Sequence, residues 1–406
     1  MGALSHIRVL DLSRVLAAPW ATQILGDLGA EVIKIEKPGE GDETRHFGPP
    51  FLTKEDGTRG DATYFLTANR NKKSVAIDFA KPEGAALVKR LARRAHVVVE
   101  NLKTGALAKY GLDYESLKAE NPALIYCSLT GFGHDGPYKD KAGYDYVIQG
   151  MGGLMSITGQ KDGEPGAEPM KVGVAVSDLI TGLNTAIAIL AAIIHQGRTG
   201  EGQSIDMALF DAQVAGLANQ AMSYLAGGTV PGRLGNAHPN IVPYQVFPTA
   251  DGHLILAISN DNQFRNFARL AGIADIAAEP RFARNAERVA HRDELIAILK
   301  PIFAAKTTAA WIAALEAANI PCGPINGIDQ VFADPQAIAR GLKITMEHPV
   351  AGALDLVASP LRLEKTPPEY RLPPPLLGQH TGEILGEMLE ISASDQAKLR
   401  EAGIIG

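Results

Sequence analysis

One carboxylate stands apart in this chain. Asp178 is the only charged residue from Val172 to Ile194, within the stretch KVGVAVSDLITGLNTAIAILAAIIHQ (Lys171–Gln196). It falls in the first turn of a helix whose apolar side chains, among them Leu183, Ile187, Leu190 and Ile194, point all round the helical period. Such a helix is expected inside a large core. A carboxylate is a weak nucleophile, so it needs an activated acyl partner, a dry site and donors for the oxyanion. Thioesters are such partners. The unpaired N–H groups and dipole of a helix N-terminus are expected to keep Asp178 ionised. The glycine-rich segment before it, Thr130–Gly159 with Gly152-Gly153, is long enough to be a functional loop and could supply donors. An ordinary capping role for Asp178 is the alternative.

Other chemistries lack their motifs. The first strand is followed by Ser13–Pro19 (SRVLAAP) rather than GxGxxG, and Walker A, GxSxG and HExxH are all missing. The 10 histidines are scattered without ligand spacing, so no metal is expected. The two cysteines, Cys127 and Cys322, lie far apart, as in a reducing compartment. A formal charge of −6 argues against a broad nucleic-acid surface but leaves room for a local basic pocket. The N-terminus enters a strand at once and the run Leu183–Ile194 is short for a bilayer, so a cytoplasmic protein without a membrane partner is expected.

The elements that would hold Asp178 alternate. Ile7–Asp11 reads as a strand, Leu12–Pro19 as a loop, about Trp20–Leu28 as a helix and Glu31–Glu36 as a strand, which together make a βαβ unit. Strands follow at Ser74–Phe79, Val97–Glu100, Leu124–Leu129 and Gln203–Ala208, with helices from Pro82 to Ala95 and from Phe210 to about Leu225. The expected fold is α/β, a Rossmann-like doubly wound sheet. The alternation breaks at Gly227–Asn240, and a hairpin around Ala250-Asp251-Gly252 with helices at Gln263–Leu270, Arg292–Ala305 and Ala309–Ala318 suggests a small α+β domain. A proline-rich tail, Ser359–Gly378, should run extended before a last helix at Thr381–Leu389.

Five blocks of sequence carry a family resemblance. RVLAAPWATQILGDLGAEVIKIEKPGEGDETR (Arg14–Arg45), NRNKKSVAIDF (Asn69–Phe79), VVVENLKTGALAKYGLDYESL (Val97–Leu117), NIPCGPIN (Asn319–Asn326) and PPLLGQHTGEIL (Pro374–Leu385) resemble class III CoA-transferases, the formyl-CoA transferase and carnitine CoA-transferase type, across essentially the whole chain. The stretch from GYDYVIQGMGGLMSITG to AHPNIVPYQVF looks closest to succinyl-CoA-dependent dicarboxylate CoA-transferases. The resemblance implies an interlocked homodimer with a large CoA-binding domain (1–226), a small domain (227–327) and a C-terminal segment (328–406) returning to the large one. It aligns Asp178, in VSDLITG, with the family nucleophile, which forms a mixed anhydride and then an aspartyl-CoA thioester.

By the same resemblance, coenzyme A (carried as the acyl-CoA substrate) would be held by Val15 and Ala17 in the first loop, Lys37, Ile77 and Ala80, Asn101, Leu102 and Lys103, Lys109, Lys141 and Tyr144. Lys37 stands where the family often has arginine, and Leu16 where formyl-CoA transferase has glutamine; the latter's tetraglycine loop has no counterpart. Formate and oxalate are therefore disfavoured as substrates. The second carboxylate of an acceptor needs a cation or several donors, for which Arg14, Arg45, Arg233, His238 and Asn240 are the candidates, with Arg45 alternatively a structural ion-pair partner. Two other readings remain. An α-methylacyl-CoA racemase would pair the aspartate with a histidine where Tyr144-Asp145 stand here, and tyrosine is a poor base near neutrality. A non-catalytic CoA- or nucleotide-binding protein would tolerate loss of Asp178.

Overall fold

Six parallel strands form the frame of the computed structural model, which describes residues 2–406. They are β1 (Arg8–Asp11), β2 (Glu31–Glu36), β3 (Lys72–Ala76), β4 (Val97–Glu100), β5 (Ile125–Thr130) and β6 (Ser204–Ala208), in the order β3-β2-β1-β4-β5-β6. Their side chains alternate between two apolar cores, as a sheet covered on both faces requires. Leu10, Ile33, Val75 and Val98 face one core, with helix α2 (Pro82–Ala92) and the C-terminal helix Thr381–Leu389. Val9, Val32, Val97 and Val99 face the other, with α1 (Ala17–Asp27). The chain leaves β1 toward β2 on one side and returns to β4 on the other. The crevice beyond the carboxyl ends of these two strands is therefore the switch point where such sheets bind ligands.

Asp178 lies on a 24-residue helix, α4 (Val176–Thr199), packed across α1. Small residues make the crossing close: a Cβ on Gly182 would sit 2.5 Å from the Ala17 carbonyl oxygen. Burial on all sides, expected from the apolar pattern, does not hold within the chain. Thr181, Thr185, Ala186, Ile189 and Ala192 are buried, whereas Leu183, Ile187 and Ile194 are 49%, 63% and 64% exposed. The helix is also long and apolar enough to cross a membrane, which corrects the estimate made from Leu183–Ile194 alone, although its inner face is occupied by α1 and the sheet.

Two compact units result, one comprising residues 2–154, Val172–Gly227 and Gln336–Gly406, the other Met155–Lys171 and Gly228–Pro335. The second unit thus takes in a segment of the glycine-rich region and extends past 327. It holds an antiparallel sheet of Tyr244–Pro248, His253–Ala257 and Cys322–Pro324 around a core with Phe247, Phe303 and Trp311. The expected hairpin is there, closed by Thr249 N–H to the Gly252 carbonyl at 2.9 Å. In the first unit the proline-rich tail is tied down by Asn71, whose side chain donates to the Glu369 carbonyl and accepts from the Arg371 N–H. The third strand begins two residues earlier than expected, because Lys72 is buried. The helix expected from Phe210 is broken into Leu209–Ala215 and Ala218–Leu225.

Candidate functional site

The loop after β1 rests on buried charge. Asp11, Lys34 and Lys72 are each 0% exposed and Asp42 1%. Lys34 Nζ donates to the Ser13 carbonyl at 2.7 Å and to Asp42 Oδ2 at 2.9 Å; Lys72 Nζ donates to the Pro19 carbonyl at 3.0 Å and to Asp11 Oδ2 at 3.1 Å. Asp11 also accepts from the Ser13 N–H and hydroxyl and from the Thr22 hydroxyl. Burial works against the Asp11 anion, but Lys72 and Lys34 outweigh it and hold this carboxyl at about 2. Burial brings the Lys72 ammonium down to about 8, with Asp11 opposing. Buried pairs recover little net stability, but they fix what they touch. Here that is the segment Ser13–Pro19.

Within it Val15 has φ +69°, a left-handed conformation costly for a β-branched residue, and its N–H reaches Asp42 Oδ1 at 3.3 Å. The preceding peptide is bracketed by Asn101 across the crevice. The Arg14 N–H donates to Asn101 Oδ1 at 2.8 Å, and Asn101 Nδ2 donates to the Arg14 carbonyl at 2.7 Å.

Two cavities open at this switch point. One, of about 370 Å³, is bordered by Val15, Ala17, Asn101, Lys141, Tyr144 and Asp178; the other, of about 580 Å³, by Lys37, Ile77, Ala80 and Lys109. Arg14, Glu43, Leu102 and Lys103 border both. All the residues expected to contact CoA thus lie on one or the other, and Arg14 stands at their junction, paired with Glu43 at 2.5 Å. The first cavity's far wall is thin: Gly131 and Gly143 lie back to back, where a Cβ on Gly131 would be 2.5 Å from the Gly143 Cα. Gly131 opens GFGHDG, a GxGxxG spacing after β5 rather than β1, and no helix starts there before Asp145.

Asp178 is only 9% exposed, and its electrostatics differ from expectation. Helix α4 is capped not by Asp178 but by Asp145, the first residue of α3 (Asp145–Met151). Asp145 Oδ2 accepts the Ser177 N–H at 2.8 Å and the Asp178 N–H at 3.3 Å, and Gln149 Nε2 holds Asp145 Oδ1 at 2.7 Å. Burial, with the Asp145 charge adding to it, pushes the Asp178 carboxyl up to about 7. The expected ionised aspartate is therefore a carboxyl poised near neutrality. Tyr64, half-buried, lies close enough that burial and then the Asp178 charge raise its phenol. Asp145, Gln149 and Tyr64 join the site without having been expected from the sequence. An i, i+4 Asp–Gln pair ahead of the helix was the available signal for the first two.

The acceptor candidates separate. Arg14 borders the Asp178 cavity. Arg45 is corrected to a structural role: it is buried, bound to Glu36 at 2.7 and 2.9 Å, to Asp61 at 2.6 Å and to the Pro375 carbonyl, and lies over the Phe65 ring. Arg233, His238 and Asn240 belong to the second unit, where Arg233 pairs with Asp162 and the Asn240 N–H donates to His238 Nδ1 at 3.1 Å. Among the described residues no three His, Cys, Asp or Glu side chains group as a metal site.

The family model described as CoA-transferase family III matches residues 4–381. The chain belongs to this family. Among family III CoA-transferases it is 53% identical over 385 residues to a succinate–glutarate CoA-transferase of Agrobacterium fabrum, covering 95% of each chain. It is 44% identical over 405 residues to the succinyl-CoA:glutarate CoA-transferase of Mus musculus, covering 100% of this chain and 91% of that one. The crystal structure of a CAIB/BAIF family protein from Brucella suis superposes with a TM-score of 0.84 at 49% identity, over 95% of this chain and 99% of the other.

Proposed function

We propose that this family III CoA-transferase moves CoA from succinyl-CoA to a small dicarboxylate, glutarate foremost, with Asp178 as nucleophile. The observation that carries the reading is a buried carboxyl, raised by burial and by Asp145, bordering a cavity that meets a second one at Arg14 and Lys103. The second cavity, with Lys37 and Lys109, suits the nucleotide end of CoA, and the first suits the thioester. The names of the similar enzymes supply succinyl-CoA and glutarate.

Asp178 in its anionic form bonds to the thioester carbonyl carbon; the C–S bond breaks and CoA leaves as thiolate with the electron pair. The thiolate attacks the Asp178 carbonyl of the mixed anhydride, releasing succinate and leaving an aspartyl-CoA thioester. An acceptor carboxylate then reverses both steps. No water enters the balance, so the anhydride has to react with the thiolate faster than with water. Arg14 is the residue we assign to the acceptor's second carboxylate, in place of Glu43. The racemase reading lacks its second base, since among the described residues no histidine borders the cavity that Asp178 borders.

A homodimer is supported by the outer stripe of α4. Burying the exposed part of Leu183, Ile187 and Ile194 against a second copy would contribute about 1–2 kcal/mol each. Both cysteines are free, which fits the cytoplasm. A mass-spectrometric screen of acyl-CoA donors against C4–C6 dicarboxylates tests the substrates. Glutaryl-CoA should form from succinyl-CoA and glutarate. Transfer from formyl- or carnitinyl-CoA alone would refute the assignment.

A further inference from the structure

We propose that Asp145 is a positioning residue for CoA transfer: by occupying the N-terminus of α4 it denies that terminus to Asp178 and keeps the nucleophile reactive toward a thioester. The inference rests on Asp178 being the nucleophile. A helix N-terminus ordinarily stabilises a nearby anion, and a carboxylate so stabilised is a poorer nucleophile. In this chain the two N–H groups beside Asp178, its own and that of Ser177, both point at Asp145 Oδ2. Asp145 is fixed for that task. Gln149, fully buried, donates to Asp145 Oδ1 and accepts the Val172 N–H at 2.9 Å, tying α3 to the segment that leads into α4. Ser177 is locked in turn by its hydroxyl to Gln213 Oε1 at 2.7 Å. The arrangement sets one carboxylate as cap and directs both of these N–H groups away from the other.

The remaining charged or titratable groups around Asp178 do not replace this effect. Tyr64 approaches from the turn Thr63–Leu66, and Arg14, Glu43, Lys103, Lys139, Asp140, Lys141 and Tyr144 border the cavity. Only burial and Asp145 move the Asp178 carboxyl, both upward. The chemical step needs no added reactant. The Asp178 proton goes to solvent, its oxygen bonds to the acyl carbon, and CoA leaves as thiolate.

The test compares wild type, Asp145→Asn and Asp145→Glu by the pH dependence of kcat/KM for succinyl-CoA, and by hydroxylamine capture of the aspartyl-CoA thioester. Wild type should lose activity below about pH 7. Asp145→Asn keeps a capping oxygen but drops the charge, so its acid limb should move down by about one unit or more. If the carboxylate follows roughly the 0.4–0.5 dependence of nucleophilicity on basicity shown by thiolates, about one unit of lost basicity lowers the plateau about threefold. KM for succinyl-CoA should stay unchanged, and Asp145→Glu should restore the wild-type limb. An unmoved limb in Asp145→Asn, with the hydroxamate still forming on Asp178, would overturn the role of Asp145 alone. Absence of any hydroxamate in wild type would remove the nucleophile as well. Should Asp145→Asn not fold, the wild-type protein decides the matter. An infrared carboxyl titration, taken as the difference from Asp178→Asn, should show a midpoint near 7. A midpoint near 4 would overturn the proposal.

Discussion

Asp11 and Asp178 are the same side chain in two buried settings, and they end at opposite extremes. Asp11 sits beneath the first loop with Lys72 and Lys34 around it and a carboxyl held at about 2. Asp178 sits beside the same crevice with a second carboxylate as its charged neighbour and a carboxyl near 7. Burial raises both; the sign of the neighbouring charge decides the outcome. The first arrangement produces a rigid, inert support that holds Val15 in a strained conformation. The second produces a group whose anion is costly and therefore reactive.

Substitutions can break this contrast. The largest effect is expected at Asp178. Asp178→Asn should abolish transfer, a loss of at least about a thousandfold, while CoA binding by calorimetry survives. Residual transfer above that level would move the chemistry elsewhere. Next, removing one partner from the inert cluster leaves the buried Lys34 ammonium without its nearest carboxylate. Asp42→Ala should cost about 3–5 kcal/mol in denaturant unfolding, and an effect below about 1 kcal/mol would mean the cluster relaxes around the loss.

The same Asp178→Asn change should act on stability in the opposite direction. The folded protein holds the Asp178 proton up to about 7, against 3.8 for the ordinary group, so folding binds a proton between those values. Stability contributed by the neutral form is therefore complete below about pH 4 and lost as pH rises through 7. At pH 8 the asparagine variant should be more stable than wild type by up to about 4 kcal/mol, and at pH 4 by little. Equal differences at both pH values would contradict the raised carboxyl. The smallest effect is expected at the groove's exposed end. Lys37 already pairs with Glu40 at 2.6 Å in solvent, so Lys37→Ala should raise KM for succinyl-CoA only a few-fold.

The frame of the fold was legible because Val9–Leu10, Val32–Ile33 and Val97–Val99 are apolar on both faces, and one helix separates the first two. Where polar residues are buried in pairs, the pattern misleads. Lys72 displaced a strand edge, and of the two roles open to Arg45, substrate ligand or structural ion-pair partner, Glu36 and Asp61 favour the second. The outer stripe of α4 read as core because an apolar side chain looks the same whether its own chain or another copy covers it. Asp178 was visible as the one acid in an apolar run. For Asp145 the spacing to Gln149 was in view, but its contact across 33 residues to a backbone N–H leaves no trace in residue spacing.

The central claim is that Asp178 itself carries CoA, and peptide mass spectrometry tests it directly. After incubation with succinyl-CoA and no acceptor, the account predicts a CoA adduct on the peptide containing Asp178, absent from Asp178→Asn and discharged by glutarate. No adduct under turnover conditions, or an adduct on another residue that persists in Asp178→Asn, would contradict it.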